Sequence, residues 1–366
     1  MKRTFWENFL RGRSGKLYSA WQIELTTRCP LKCRMCCREG QPGLSRKDMS
    51  LNDFKKILPY LKHVESVVLE GWGESLLHPD LLECIRLVKR EGSRVGFVTS
   101  GKPLDRAYIA ELVRAETDFI GFSLSGATAA THDSIRINSN LQDLLKHIQG
   151  FQEEKARHKC PYPRLHIVYL LLKDNIWEVP ALLKLAKDLG IQDVVLIHLI
   201  LVTNSWQEEQ RVFGRGGTKE FEKILLEAER MARDWKIQLH RPSTTSRDVA
   251  VCSENPLKNL YISVEGEVSP CVYLNPPLPS PFKRLFHGRE VQVEKVIFGN
   301  LFQESLERIW NIAGYVNFRG GFERRWKKFE GLYSSLWDRD RRKEFENGSL
   351  PTPPRPCQTC YKMLGF

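Results

Sequence analysis

The chain has 366 residues, is 42% hydrophobic and carries a net charge of +12, from 56 Lys and Arg against 44 Asp and Glu. That length suits one large or two modest globular domains. No run approaches the roughly eighteen apolar residues of a membrane-spanning helix. The basic, polar stretch from Met1 to Tyr18 lacks the apolar segment of a secretory signal, and the last five residues carry no lipidation motif. A cytoplasmic protein without membrane attachment is expected. The basic residues are scattered, with local density over 2–16 and 319–343, and no recognisable nucleic-acid module accompanies them. They read as a solvated surface, with an acidic partner or nucleic acid as the alternatives.

In chain order, short apolar segments rich in β-branched and aromatic residues predict strands at 22–26, 66–70, 94–99, 119–124, 165–171 and 194–199. Between them lie segments with apolar residues three and four apart, such as Phe54, Ile57, Leu58 and Leu61, or Leu182, Leu185 and Leu189, which predict helices. Ser50, with Asp53 three residues on, marks a helix start, and Gly190 a helix end. Six strand–helix repeats imply an α/β fold, a parallel sheet with helices outside, which is six-eighths of a TIM barrel. Chemistry in such barrels gathers at the C-terminal strand ends.

Beyond residue 216 the rhythm changes. A helix is predicted over 218–235, a strand over 237–240, and a hairpin at 260–264 and 267–268 turning on Glu265-Gly266. Residues 275–281 are proline-rich loop, 302–345 look helical and aromatic, and 351–356 form an extended linker. The expected division is a basic N-terminal extension (1–20), a partial barrel (21–215) and a C-terminal domain (216–366) with a long insertion at 275–350.

Ten cysteines in a reducing compartment point to metal or redox chemistry rather than disulfides. Cys84 and Cys160 stand alone and read as buried thiols. Cys29, Cys33 and Cys36 form a C-x3-C-x2-C run just after the first predicted strand. Three thiolates on one loop can hold three irons of a [4Fe–4S] cube and leave the fourth open. A zinc ion would want a fourth ligand, which Cys37 could supply; Cys36 rather than Cys37 is taken as the third iron ligand because it preserves the spacing. A second set, Cys252, Cys271, Cys357 and Cys360, supplies four thiolates, enough for a cluster or for zinc.

The stretch from Glu24 to Cys36 resembles the signature of the radical S-adenosylmethionine superfamily. Glu70-Gly71-Trp72-Gly73-Glu74, ending the second strand, resembles its G-G-E motif, where backbone and carboxylate bind the cofactor's methionyl amino group. Thr99-Ser100-Gly101 and Ser123-Leu124-Ser125-Gly126 end the next two strands, as in relatives, and Thr131 to Arg136 follows. Relatives often carry an acid where this chain has Ser125, so no role for that acid carries over. The resemblance implies a SAM-binding [4Fe–4S] cluster at Cys29, Cys33 and Cys36, S-adenosyl-L-methionine held by Gly73, Glu74, Ser123 and Arg136, and reductive cleavage to a 5′-deoxyadenosyl radical. The second cysteine set resembles the twitch and SPASM subgroup and implies one auxiliary [4Fe–4S] cluster, as structural element or electron acceptor. The Gly-Trp-Gly-Glu turn and the Cys-Arg-Met-Cys-Cys-Arg run are similar to tungsten-enzyme cofactor maturases. Expected partners are an electron donor of ferredoxin or flavodoxin type and a peptide, protein or metallocofactor-precursor substrate. A non-enzymatic iron–sulfur or zinc protein and a radical enzyme acting on nucleic acid are the other readings.

Overall fold

The computed structural model describes residues 15–214, 218–335 and 348–366. Most of the basic N-terminal extension and residues 336–345 of the predicted C-terminal helical stretch lie outside the described residues. The strands are β1 (Tyr18–Ile23), β2 (Lys32–Cys33), β3 (Val64–Val68), β4 (Arg94–Thr99), β5 (Phe119–Leu124), β6 (Arg136–Ile137), β7 (Arg164–Leu171), β8 (Asp193–His198), β9 (Gln238–His240), β10 (Asn259–Ile262), β11 (Glu267–Ser269), β12 (Phe282–Phe286), β13 (Arg289–Val293) and β14 (Gly299–Asn300). The helices used below are α1 (Leu51–Leu61), α2 (Leu81–Arg90), α3 (Arg106–Arg114), α4 (Ala129–Ile135), α5 (Leu141–Arg157), α6 (Val179–Asp188), α7 (Ser205–Glu209), α8 (Thr218–Asp234), α9 (Leu306–Asn311) and α10 (Ala313–Ser335).

The six expected strands form consecutive parallel neighbours in the order β1-β3-β4-β5-β7-β8. Helices between them present apolar stripes to the sheet. In α1 the stripe is Phe54, Ile57 and Leu61, all fully buried; each contributes about 1.5–3 kcal/mol by leaving water. Side-chain caps start these helices: Ser50 accepts from Asp53 N at 3.0 Å, and Asp105 and Asn140 do the same for α3 and α5. Gly190, at φ +67°, takes the left-handed conformation just past α6.

The first two strands and the extent of the sheet differ from the expected boundaries; the second strand runs 64–68 rather than 66–70, so Glu70 follows it. The first strand runs 18–23 rather than 22–26, because the apolar Tyr18–Trp21 segment carries the ladder while Glu24 turns its carboxylate onto backbone N–H groups of Trp72 (2.7 Å) and Val264 (3.3 Å). The sheet also continues past both sides of the six strands. β9 adds parallel to β8, and β10 adds parallel to β1, followed by antiparallel β11 and β14. The barrel and the C-terminal region therefore share one ten-stranded sheet. One apolar core runs through both, from Trp21 and Ile57 to Ile262, Phe318 and Cys357. The proline-rich stretch leads into a hairpin, β12 with β13, that the sequence did not suggest.

Candidate active site

The cysteine loop leaves β1 at the C-terminal end of the sheet. Within it β2 pairs antiparallel with β6, setting Cys33 opposite Arg136. This two-residue ribbon fixes both partners: Arg34 N donates to Ile135 O at 3.0 Å, and Arg136 Nε donates to Ser125 Oγ at 2.9 Å. Ser125, where relatives often carry an acid, thus serves as a neutral acceptor for Arg136. Cys29, Cys33 and Cys36 are free thiols lying close enough to affect one another's titration. Burial pushes the Cys33 thiol up to about 12 against the pull of Arg136. A hydrogen bond from Cys37 brings Cys36 down to about 7. Cys37 itself, 2% exposed, packs in the main core.

The Gly71-Trp72-Gly73-Glu74 turn lies directly against this loop. Glu74 N donates to Arg28 O at 2.7 Å, and Arg38 Nη1 donates to Trp72 O at 2.8 Å. A Cβ on Gly73 would overlap the carbonyl oxygens of Thr26 and Arg28, so only glycine lets the two segments meet. The Glu74 carboxylate is buried and accepts from Thr99 Oγ1 (2.7 Å), Leu76 N (3.3 Å), Ser100 N (2.8 Å) and Ser100 Oγ (2.7 Å). These four donors occupy the acceptor sites of an ionised carboxylate, and burial still raises its titration.

Inside the strand ends lies a chamber of about 500 Å³, a size suited to a small ligand. Its apolar wall is Val68, Val98, Val168 and Val195; its polar groups are Gln22, Glu70, Ser123 and Arg136. The opposite wall comes from the C-terminal region: Glu254, Tyr261, Cys271, Tyr273 and Lys362. Lys362 pairs with Glu254 at 3.1 Å and donates to Ser253 Oγ at 2.9 Å. Burial, reinforced by the Glu74 and Glu254 carboxylates, pushes Glu70 up to about 8. Glu70, Glu254 and Lys362 were not singled out from the sequence. Glu70 lies inside a recognised motif, and the even spacing of 68 and 70 on one face of the predicted strand was the available signal.

The second cysteine set also assembles. Cys252, Cys271 and the Cys357–Cys360 pair come from three separate places in the chain and influence one another electrostatically. Burial raises Cys252 to about 12 and Cys271 and Cys357 well upward, so deprotonation there calls for a metal to stabilise the thiolates. Among the described residues no three or more His, Cys, Asp or Glu converge on a point suited to a single ion. Soft sulfur donors in both sets, all free of disulfides, fit iron–sulfur clusters, whose thiolates each bind a different corner.

The radical SAM superfamily profile matches residues 23–186, and that of the SPASM iron-sulfur cluster-binding domain matches residues 252–333. The chain belongs to the radical SAM superfamily. As a radical SAM protein with a SPASM domain it is an enzyme that works with a [4Fe–4S] cluster, S-adenosylmethionine and auxiliary iron–sulfur chemistry. It is 27% identical over 308 residues to the tungsten-containing aldehyde ferredoxin oxidoreductase cofactor-modifying protein of Pyrococcus furiosus, covering 81% of this chain and 82% of that one. It is 25% identical to the PqqA peptide cyclase of Gluconobacter oxydans, covering 81% and 78%. Among solved structures the fold matches SuiB of Streptococcus suis bound to S-adenosylmethionine, with TM-score 0.61 at 13% identity over 82% of this chain and 67% of that one. It also matches anSMEcpe with bound AdoMet, with TM-score 0.59 at 14% identity over 81% and 78%. No helix among the described residues is long and apolar enough to cross a membrane.

Proposed function

We propose that this radical SAM enzyme cleaves S-adenosylmethionine reductively and uses the product to modify a peptide, a protein or a metallocofactor precursor. The observation that carries the reading is the single chamber bounded on one side by Arg136, opposite Cys33, and on the other by Cys271. Cys29, Cys33 and Cys36 hold the SAM-binding cluster; Cys252, Cys271, Cys357 and Cys360 hold one auxiliary cluster. The first cluster, held there, would supply one-electron reduction of the sulfonium to a 5′-deoxyadenosyl radical, chemistry beyond amino-acid side chains.

The chain's own residues bind and orient. Gly73 lets the turn approach the cysteine loop. Ser123 and Arg136 face the chamber as polar contacts for the cofactor. Glu74 meets the methionyl ammonium by releasing Ser100 Oγ, a rotatable hydroxyl, in exchange for a charge-assisted bond. The relatives' names support a substrate of peptide or cofactor type. An external ferredoxin- or flavodoxin-type donor would supply the electron in the cytoplasm. The barrel, through about residue 215, carries the radical chemistry, and the C-terminal domain carries the auxiliary site, as structural element or electron acceptor.

Anaerobic reconstitution tests this. About eight irons per chain are expected, in two clusters, with slow formation of 5′-deoxyadenosine under strong reductant. Replacing Cys29, Cys33 and Cys36 together with Ala should leave about four irons and abolish cleavage. A triple variant that keeps every iron removes the first assignment; a wild-type protein that never cleaves the cofactor removes the enzymatic reading.

A further inference from the structure

Two arginines in the region between Cys271 and Cys357 are among the most deeply buried side chains of the protein. Arg325, on α10, is 1% exposed. It donates to Ala250 O at 3.3 Å and Val249 O at 2.8 Å, just ahead of Cys252, and to Pro351 O, and it pairs with Asp248. Arg284, on β12, is 2% exposed. Its Nη1 donates to Pro356 O at 3.1 Å and Thr359 O at 3.4 Å, and its Nη2 to Tyr273 O at 3.2 Å. Those carbonyls immediately precede Cys357 and Cys360 and lie two residues beyond Cys271. One planar fork therefore ties together the backbones that carry three of the four cysteines.

Arg325 has a carboxylate. Among the described residues no carboxylate pairs with Arg284; three carbonyl dipoles and the Phe282 ring, 5.4 Å from Cζ, surround it. Arginine carries its charge into any environment, and a buried cation without a counter-ion is costly. The Cys357 and Cys360 thiols follow directly on the two carbonyls that Arg284 Nη1 holds.

We propose that Arg284 is the positioning residue of the auxiliary iron–sulfur site: it holds the Cys271, Cys357 and Cys360 segments together, and the thiolate-bound cluster supplies the negative charge that its guanidinium lacks. This rests on the four cysteines being the ligands of that cluster. The same charge acts back on the cluster. A fixed cation beside it favours the reduced, more negative state, and net charge and hydrogen bonding are among the levers that set such potentials.

The test compares full-length Arg284→Gln and Arg284→Lys with wild type after anaerobic reconstitution. Iron content, the midpoint potential of the auxiliary cluster by EPR redox titration, and the urea midpoint of the cluster-free protein are read, with the first cluster as internal reference. For Arg284→Gln the reduced fraction at fixed potential should fall about tenfold, a shift of about 59 mV downward for one electron, while the first cluster stays put. Arg284→Lys should recover most of that shift, since it keeps the charge. Selective loss of the auxiliary irons from Arg284→Gln, with the cluster-free fold kept, supports the proposal equally. Full iron content with an unmoved auxiliary potential overturns it, and so does collapse of the cluster-free fold in both variants, which would make the arginine ordinary packing. A variant with both Cys357 and Cys360 replaced by Ala, which leaves only two of the four thiolates, defeats the four-ligand reading instead if it retains both clusters, whatever the arginine variants do.

Discussion

Glu70 offers a direct check on the electrostatics of the chamber. Its carboxyl ionises near 4.5 in an unfolded chain, but burial and the neighbouring Glu74 and Glu254 charges raise it to about 8 in the fold. Below 4.5 both states hold the proton and no cost arises. As pH rises from about 4.5 to about 8 the unfolded state releases its proton while the fold retains it, so stability falls across that window. Above about 8 the fold bears the full cost of an ionised Glu70. At about 1.36 kcal/mol per pH unit the displacement caps this cost near 5 kcal/mol. The side chain is only half-buried in an open chamber, and solvent screening brings the expected value to about 1–2 kcal/mol. Glu70→Gln removes the ionisation without changing the shape. Urea unfolding of the cluster-free wild type and variant, at intervals from pH 5 to 9, should give curves that nearly coincide at the acid end and separate toward the alkaline end, with the variant more stable. Parallel curves over the whole range would refute the reasoning, and a variant gaining stability only at the acid end would reverse its sign.

Further outcomes follow from the same geometry. Glu74→Ala should weaken S-adenosylmethionine binding about tenfold or more, the value of one charge-assisted hydrogen bond, by equilibrium dialysis against the reconstituted protein. Ser100→Ala frees a Glu74 acceptor site and should leave that affinity equal or tighter. Gly73→Ala should separate the turn from the cysteine loop and cost about 2 kcal/mol or more of stability, together with the irons of the first cluster, read by calorimetry and iron assay. Truncation before Cys357 should remove the auxiliary cluster and destabilise the C-terminal region while cofactor cleavage survives in part; Mössbauer spectra showing two clusters in the truncated protein would count against the four-cysteine assignment.

The six barrel strands were legible because each is a short apolar run framed by amphipathic helices, and their motifs sit at the strand ends where a parallel sheet places chemistry. β10 was legible as one arm of a hairpin, but its pairing with β1 was not, since nothing local marks which strand a distant segment joins. The ribbon that sets Arg136 opposite Cys33 is two residues long on each side, too short for any periodicity. Glu70 reads as one more residue of a motif until the fold shows its carboxylate facing a chamber with two like charges nearby. Arg284 was the least visible. A charged residue in a long, basic, proline-bearing segment looks like surface, and only the fold reveals that the hairpin carrying it closes over the last cysteine pair.

The pairing of β1 with β10 has a consequence for how the protein is made. Ala20 N donates to Asn259 Oδ1, and Trp21 and Ile23 lie opposite Leu260 and Ile262, more than two hundred residues later in the chain. During synthesis the first strand leaves the ribosome long before its outer neighbour exists. Until residues 259–262 emerge, one side of β1 presents open backbone donors and acceptors beside apolar side chains, the kind of edge that recruits wrong partners. Expression conditions that slow the last third of translation should therefore raise the insoluble fraction, and a nascent-chain holdase should lower it.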